Sequence, residues 1–133
     1  MFAQKWSFQK QTESFGYAFA GIRKFVVKER HAKIHLAATL VTVFASLALG
    51  VSIREGIELL FVTGLVWIAE MINSCLEKLI DFITPQHYPQ LAFVKDVAAG
   101  AVLLAAFIAL ATGLLIFIPV SYTHLTLPTI YSV

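Results

Sequence analysis

The chain has 133 residues and a formal net charge of +2; 59% of the residues are hydrophobic and 14% are charged. Soluble domains carry about 45–50% apolar and about 25% charged residues, so this composition excludes an ordinary soluble domain and indicates a membrane protein. The small net charge argues against a nucleic-acid partner. The single cysteine, Cys75, excludes an internal disulfide and any paired-cysteine metal or redox motif.

The first predicted helix, over about residues 7–30, is amphipathic. Its apolar residues mostly recur at spacings of three, four or seven, and they are Phe8, Phe15, Phe19, Ile22 and Val26. Charged residues occupy the other positions, among them Lys10, Glu13, Arg23 and Lys24. Such a helix is expected to lie in the membrane interface, and the same pattern is compatible with packing on the protein's own surface.

Two apolar helices follow, over about residues 34–49 and 52–83. The earlier one is short for a hydrocarbon core of about 30 Å, which needs about 20 residues, unless it continues from the first helix. Gly50 is expected to end it. Ser52 and Glu55 have the spacing of a capping box at the start of the later helix. That helix is expected to end before Pro85, because a residue that precedes proline is disfavoured in the helical region.

The fourth helix is predicted over about residues 91–117, and Pro119 is expected to end it. Residues 121–133 contain no Asp, Glu, Lys or Arg and show no helical period. From Val120 onward the sequence resembles a translated sequencing adaptor. We therefore divide the chain into a membrane domain, residues 1–119, and a non-native tail, residues 120–133. A short disordered terminus is the alternative.

The basic residues predict the orientation of the chain in the membrane. Seven of the ten Lys and Arg residues precede the first apolar helix, whereas the connection at residues 51–55 carries only Arg54. The positive-inside rule therefore places the N-terminus and the loop at residues 84–89 in the cytoplasm. Three spans bury few ligands on their own, so a homo-oligomer is also expected.

A stripe of oxygen-bearing side chains lies at the cytoplasmic end of the third helix. At 3.6 residues per turn, Glu70, Asn73, Glu77 and Asp81 share one helix face. Ionisable groups at bilayer depth are costly, so they indicate a functional site by default. Carboxylate and amide oxygens favour a hard cation such as Mg²⁺.

Residues near the cytoplasmic face have the chemistry that phosphoryl transfer requires, namely a base, a metal site and a cation. Glu70, bracketed by apolar residues near the membrane boundary, is a candidate general base for the hydroxyl of a lipid. Glu29 and Glu77 are candidate ligands of a metal ion that bridges phosphate oxygens. Lys95 is a candidate contact for the phosphates.

Simpler interpretations exist for the same residues. Glu29 beside Arg30 is compatible with a charge pair at a helix end, and Lys95 with Asp96 is compatible with a solvated helix start. Glu70 alone is compatible with a proton relay. The sequence has neither G-x-x-x-x-G-K-[ST] nor a protein-kinase loop, so any nucleotide site is unconventional.

The motif from Glu70 to Asp81 resembles the signature of the prokaryotic diacylglycerol kinase family, small trimeric membrane enzymes that phosphorylate lipid alcohols. The resemblance extends to residues 14–21, 28–30 and 95–102, and it covers about residues 8–118. It implies an all-α integral membrane protein with an interfacial N-terminal helix and three transmembrane helices. It also implies a homotrimer in the bacterial inner membrane, ATP and Mg²⁺ as cofactors, and a lipid alcohol as substrate.

The resemblance also assigns roles to individual residues. Glu70 matches the catalytic base, while Glu29 and Glu77 match the metal and nucleotide ligands. The remaining matches to nucleotide-contacting positions are Lys10, which stands in place of an arginine, and Tyr17, Lys95 and Asp96. Two residues match supporting polar positions, Asn73 and Asp81. Three others match positions that line the lipid and nucleotide site, namely Gly16, Gly21 and Arg23.

Several positions depart from the enteric diacylglycerol kinases. Gln86-His87 replaces an acidic–aromatic pair, and His35 replaces a glutamate. Glu29-Arg30 followed by His35 resembles more closely the branch that includes undecaprenol kinases. We expect phosphorylation of diacylglycerol to phosphatidic acid, in phospholipid biosynthesis, with undecaprenol as the alternative substrate. A small proton-coupled transporter is the non-enzyme alternative, and it would not need the cytoplasmic set Glu29, Glu77, Lys95 and Asp96. A purely structural membrane subunit would not need Glu70 and Asn73 within a span.

Overall fold

Four helices form the regular structure of the chain. The computed structural model describes the backbone of residues 8–131 and the side chains of residues 8–123. The helices are α1 (Phe8–Lys28), α2 (Arg30–Leu49), α3 (Ile53–Ile83) and α4 (Pro89–Tyr131). Four helices in this order were predicted from the sequence, and the all-helical prediction is confirmed.

The chain divides into two compact units, Met1–Leu36 and Ala37–Val133. The first contains α1 and the start of α2, which are separated by Glu29 alone. Phe25 is buried, while Phe8, Phe15 and Phe19 are at least two-thirds exposed. The apolar face of α1 is therefore largely uncovered by the described chain.

The start of α2 differs from the sequence prediction. The helix begins at Arg30 rather than near residue 34, and it has 20 residues. At 1.5 Å per residue it is about 30 Å long, so it needs no continuation from α1 to match a hydrocarbon core. The polar residues Arg30 and Lys33 supply the missing turn, because long basic side chains can extend from a helix end to the membrane surface.

Local chemistry fixes the turn between α2 and α3. Gly50 has a left-handed conformation (φ 67°) that side chains disfavour, and its N–H and that of Val51 both donate to Ser46 O, at 3.1 and 3.2 Å. Ser52 Oγ accepts from Glu55 N at 3.2 Å, while Ser52 N donates to Glu55 Oε1 at 3.0 Å. The predicted glycine stop and capping box are both confirmed.

The packing of the second unit is concentrated between α3 and α4. Leu59, Val66 and Ile80 of α3 are buried, as are Ala105 and Ile116 of α4. At the end of α3, Thr84 is extended, as expected for a residue before proline, and its N–H still donates to Ile80 O at 3.0 Å. Pro89 opens α4, a position where its missing N–H costs nothing.

The prediction that Pro119 ends the last helix is wrong. Helix α4 continues through Pro119 to Tyr131. The expectation that the residues after this proline are not helical is therefore also wrong for residues 120–131. Proline is tolerated inside helices that lie in apolar surroundings when hydroxyl side chains bond to the backbone near it. Thr123 Oγ1 donates to Pro119 O at 2.9 Å one turn after the proline, whereas the acceptor that loses its backbone N–H donor to the proline is Leu115 O. Whether the tail is native is a separate matter and stays a prediction.

Three helices are long and apolar enough to cross a membrane: Arg30–Leu49, Ile53–Ile83 and Pro89–Thr123. Their surfaces carry many large apolar side chains, such as Phe44, Phe61 and Leu115, which are 68%, 74% and 76% exposed. Apolar surface of this extent requires lipid or protein to cover it.

Candidate functional site

The candidate site begins at a buried carboxylate in α3. Glu70 is 7% exposed and is the one charged side chain buried in the part of the chain that the structure describes. It lies one turn after the buried Val66 on the face that packs into the protein. Glu70 thus lies buried in a helix that is long and apolar enough to cross a membrane, and its role as a base stays a prediction.

The next turn of α3 couples Asn73 to Glu77. Asn73 Nδ2 donates to Glu77 Oε1 at 3.3 Å, and Glu77 is exposed. Asn73 Oδ1 is buried and has no hydrogen-bond partner among the described residues. A buried amide oxygen without a partner costs about 1–3 kcal/mol, so this position favours a bound donor or cation.

The oxygen atoms on this turn are of the type that magnesium prefers. Asn73 Oδ1 and the Glu77 carboxylate are hard oxygen donors, and Mg²⁺ in proteins is typically held by one or two carboxylates together with substrate phosphates. Across residues 8–123, no three His, Cys, Asp or Glu side chains group into a metal site. Glu29, the other predicted ligand, is half-buried between α1 and α2 in the first unit.

An ion pair joins the end of α3 to the start of α4. Lys95 Nζ lies 2.6 Å from Asp81 Oδ1, and the two side chains are 38% and 67% exposed. A pair this exposed contributes at most about 1 kcal/mol to stability. Its consequence is positional, because it holds a lysine ammonium at the end of the polar stripe.

A cavity of about 240 Å³ lies beside this ion pair, at the turn between α3 and α4. It brings together three residues predicted from the sequence, Asp81, Lys95 and Asp96. The full lining is Ile80, Asp81, Thr84, Pro85, Gln86, His87, Tyr88, Leu91, Ala92, Lys95 and Asp96. The lining combines two carboxylates, one ammonium, an imidazole and a phenol, so the pocket is polar, and Lys95 is the lining group that could pair with a phosphate.

This cavity is also lined by Gln86, His87 and Tyr88, which are not among the site residues predicted from the sequence. The loop is ordered by its own hydrogen bonds: Gln86 N donates to Thr84 Oγ1 at 3.1 Å, and Tyr88 Oη donates to Gln86 Oε1 at 3.0 Å. The position of this loop beside Asp81 and Lys95 could have been predicted from the sequence. A short loop between Asp81 and Lys95 must lie at the same end of the helix pair as both residues.

The remaining predicted residues lie on α1. Tyr17 is 79% exposed, and a methyl group placed on Gly16 or Gly21 would meet no atom within 4 Å. Lys10 and Arg23 are also exposed. A groove of about 480 Å³ runs along the helix, and it is lined by Phe19, Ala20, Arg23, Lys24, Val27 and Lys28. Apolar walls beside three cations suit an amphiphile with an anionic end.

Comparison with known proteins identifies related chains. A family model described as prokaryotic diacylglycerol kinase matches residues 16–117. An undecaprenol kinase of Bacillus subtilis is 35% identical over 107 residues, which cover 80% of this chain and 87% of that protein. A diacylglycerol kinase of Synechocystis is 36% identical over 107 residues, covering 80% of this chain and 61% of that protein. A diacylglycerol kinase of Escherichia coli is 28% identical over 105 residues, covering 79% and 86%.

Proposed function

Because the chain belongs to the prokaryotic diacylglycerol kinase family, we propose that it transfers the γ-phosphoryl group of ATP to the hydroxyl group of a membrane lipid. One observation carries the proposal beyond family membership. Glu70 is buried in an apolar helix, and the polar stripe that starts there leads to Lys95 at the end of the α3–α4 pair. A base within the membrane and a cation at its edge suit a lipid hydroxyl and a nucleotide phosphate.

Glu70 acts as the general base in this proposal. It accepts the proton of the lipid hydroxyl as that oxygen forms its bond to the γ-phosphorus and the bond to the β–γ bridging oxygen breaks. ADP leaves with the bridging oxygen. Burial at 7% exposure excludes bulk water from the carboxylate, which limits hydrolysis of ATP in place of transfer.

Glu77 and Glu29 are the proposed ligands of magnesium, and the Asn73 amide contacts Glu77 through its Nδ2 group. When bound, Mg²⁺ would neutralise charge on the β- and γ-phosphates. The hydrogen bond from Asn73 Nδ2 fixes the orientation of the Glu77 carboxylate.

The nucleotide contacts are assigned to Lys95, Asp96, Tyr17 and Lys10. Lys95 is held by Asp81 in a position where it can exchange that carboxylate for a phosphate oxygen. Supporting roles along the lipid and nucleotide site belong to Gly16, Gly21 and Arg23, of which Arg23 lines the basic groove of α1.

Charge and exposure support the proposed membrane arrangement. We assign α1 to the interface and α2, α3 and α4 to three spans of a bacterial inner membrane, with the N-terminus in the cytoplasm. Seven hydrophobic side chains are buried in the described chain, so a single copy has little core of its own. A homotrimer, with sites completed between subunits, supplies the missing packing.

Diacylglycerol is the proposed substrate, and phosphatidic acid, a precursor in phospholipid biosynthesis, is the product. Undecaprenol is the second candidate, which would give undecaprenyl phosphate. His35 and the Glu29-Arg30 pair favour this second candidate. Sequence identity does not separate the two substrates, because it is 35% with the undecaprenol kinase and 36% with the diacylglycerol kinase of Synechocystis.

The test is a phosphorylation assay of the purified chain in mixed micelles with ATP and Mg²⁺, offering diacylglycerol and undecaprenol in parallel. Transfer to either lipid supports a lipid kinase, and the ratio of kcat/KM values identifies the substrate. If neither lipid is phosphorylated while liposomes containing the chain show proton-coupled solute uptake, the proposal is wrong and the transporter alternative holds.

A further inference from the structure

A hydrogen bond between two helices lies one turn from Glu70. Trp67 Nε1 donates to Thr39 Oγ1 at 2.9 Å across 28 residues of sequence. Both side chains are half-buried, and both lie in helices long and apolar enough to cross a membrane. An indole N–H in such surroundings has no water to replace a lost partner, so the bond is expected to persist.

The bond joins helices that otherwise have little close packing. Within the second unit, extensive backbone approach occurs between α3 and α4 rather than between α2 and α3. The long indole side chain reaches from α3 to the hydroxyl on α2. It therefore gives α3 a directional attachment on the α2 side, which apolar contacts alone do not provide.

The attachment point is well placed to control the direction of Glu70. Trp67 precedes Glu70 by three residues, which places the two side chains on adjacent positions of one helix face. Rotation of α3 about its axis would lengthen the 2.9 Å contact and turn the carboxylate by the same angle. A displacement of about 1 Å at a catalytic group can cost about 10²-fold in rate.

We infer that Trp67 and Thr39 are positioning residues, whose hydrogen bond holds α3 in the rotation that presents Glu70 to the lipid hydroxyl. Neither Trp67 nor Thr39 touches the reacting atoms. The inference rests on the proposed kinase function for its catalytic readout, while the bond itself has a readout of its own.

The test uses Trp67→Phe, which keeps the ring and removes the N–H, and Thr39→Val, which keeps the shape and removes the hydroxyl. Hydrogen bonds between membrane helices are worth about 0.6 kcal/mol on average and at most about 1.7. Each variant should therefore lower kcat between about threefold and about twentyfold, with KM for ATP unchanged within about twofold. The double variant should lose no more than the larger single loss.

Two controls separate positioning from general damage. Thr39→Ser keeps the hydroxyl that Thr39→Val removes, and it should therefore have the kcat of the wild type. Thr42→Val removes another hydroxyl from α2. Among the described contacts, that hydroxyl donates only to Ala38 O in the same helix, at 2.9 Å. This variant should therefore leave kcat unchanged.

Fluorescence reports the bond without reference to catalysis. In a Trp6→Phe background Trp67 is the remaining tryptophan, and Thr39→Val should shift its emission to shorter wavelength while Thr39→Ser should not. A wild-type chain without kinase activity would refute the proposed function. An active wild type whose Trp67→Phe and Thr39→Val variants keep full kcat, or whose Thr39→Ser variant fails to recover it, would overturn the positioning role alone. If neither single variant forms the wild-type oligomer, the bond serves assembly and the positioning role is likewise overturned.

Discussion

Replacing Glu70 with glutamine tests the central residue of the proposed mechanism. The amide has nearly the shape of the carboxylate but cannot accept the proton of a lipid hydroxyl. Loss of a general base typically lowers kcat by about 10²–10⁴-fold, or about 2.7–5.4 kcal/mol in the barrier. Glu70 is 7% exposed, so bulk water has little access to act in its place, and we expect the upper part of that range.

Stability should change little in the same variant. Side-chain volume is conserved, and an amide is cheaper to bury than a charged carboxylate, so the free energy of unfolding should remain within about 1 kcal/mol. The matched control is Glu58→Gln on the same helix, because Glu58 is partly exposed and lies 3.6 Å from Arg54 in a surface pair. That control should keep wild-type kcat.

The assay measures kcat and KM for ATP in mixed micelles, together with oligomer size by chromatography in detergent. Glu70→Gln should lower kcat, leave nucleotide binding and oligomer size unchanged, and differ sharply from Glu58→Gln. A Glu70→Gln enzyme that keeps more than about a tenth of wild-type turnover, with the native oligomer size, would remove Glu70 from the chemistry.

Three further results are expected. Glu77→Ala and Glu29→Ala should raise the Mg²⁺ concentration needed for half-maximal activity more than they raise KM for the lipid; an unaltered magnesium titration in both variants would mean the ligands are misassigned. Lys95→Met should raise KM for ATP at least about tenfold, which an ATP titration measures. Asp81→Asn should change the free energy of unfolding by no more than about 1 kcal/mol, which a thermal melt measures. Truncation after Pro119 should preserve activity and oligomer size, because residues 89–118 already give about 45 Å of helix, and loss of either would show that the tail is a working element.

Helix ends were predictable wherever a few neighbouring residues determine them. Gly50 and the Ser52–Glu55 capping box each supply hydrogen bonds within three or four residues, so their spacing in the sequence was sufficient. The prediction that Pro119 ends α4 was wrong because the effect of a proline depends on the surroundings of the helix. In an apolar setting, the helix is retained even where one backbone hydrogen bond is lost.

The site was predictable along α3 but not between helices. Helical periodicity placed Glu70, Asn73 and Glu77 on one face without knowledge of the fold. The contacts of Asp81 with Lys95 and of Trp67 with Thr39 depend on how far one helix is shifted along its neighbour, which loop geometry and packing determine. No period within a single helix contains that information.

The turn between α2 and α3 has a consequence for how the chain enters the bilayer. Under the proposed orientation, this turn is the segment that must be carried across the hydrocarbon core during insertion. Its backbone N–H groups at Gly50, Val51 and Ser52 are already bonded, to Ser46 O and to the Glu55 side chain. Each group bonded in advance is one that need not be stripped of water while it crosses. Under that orientation, these three N–H groups would enter the hydrocarbon core with their hydrogen bonds already formed.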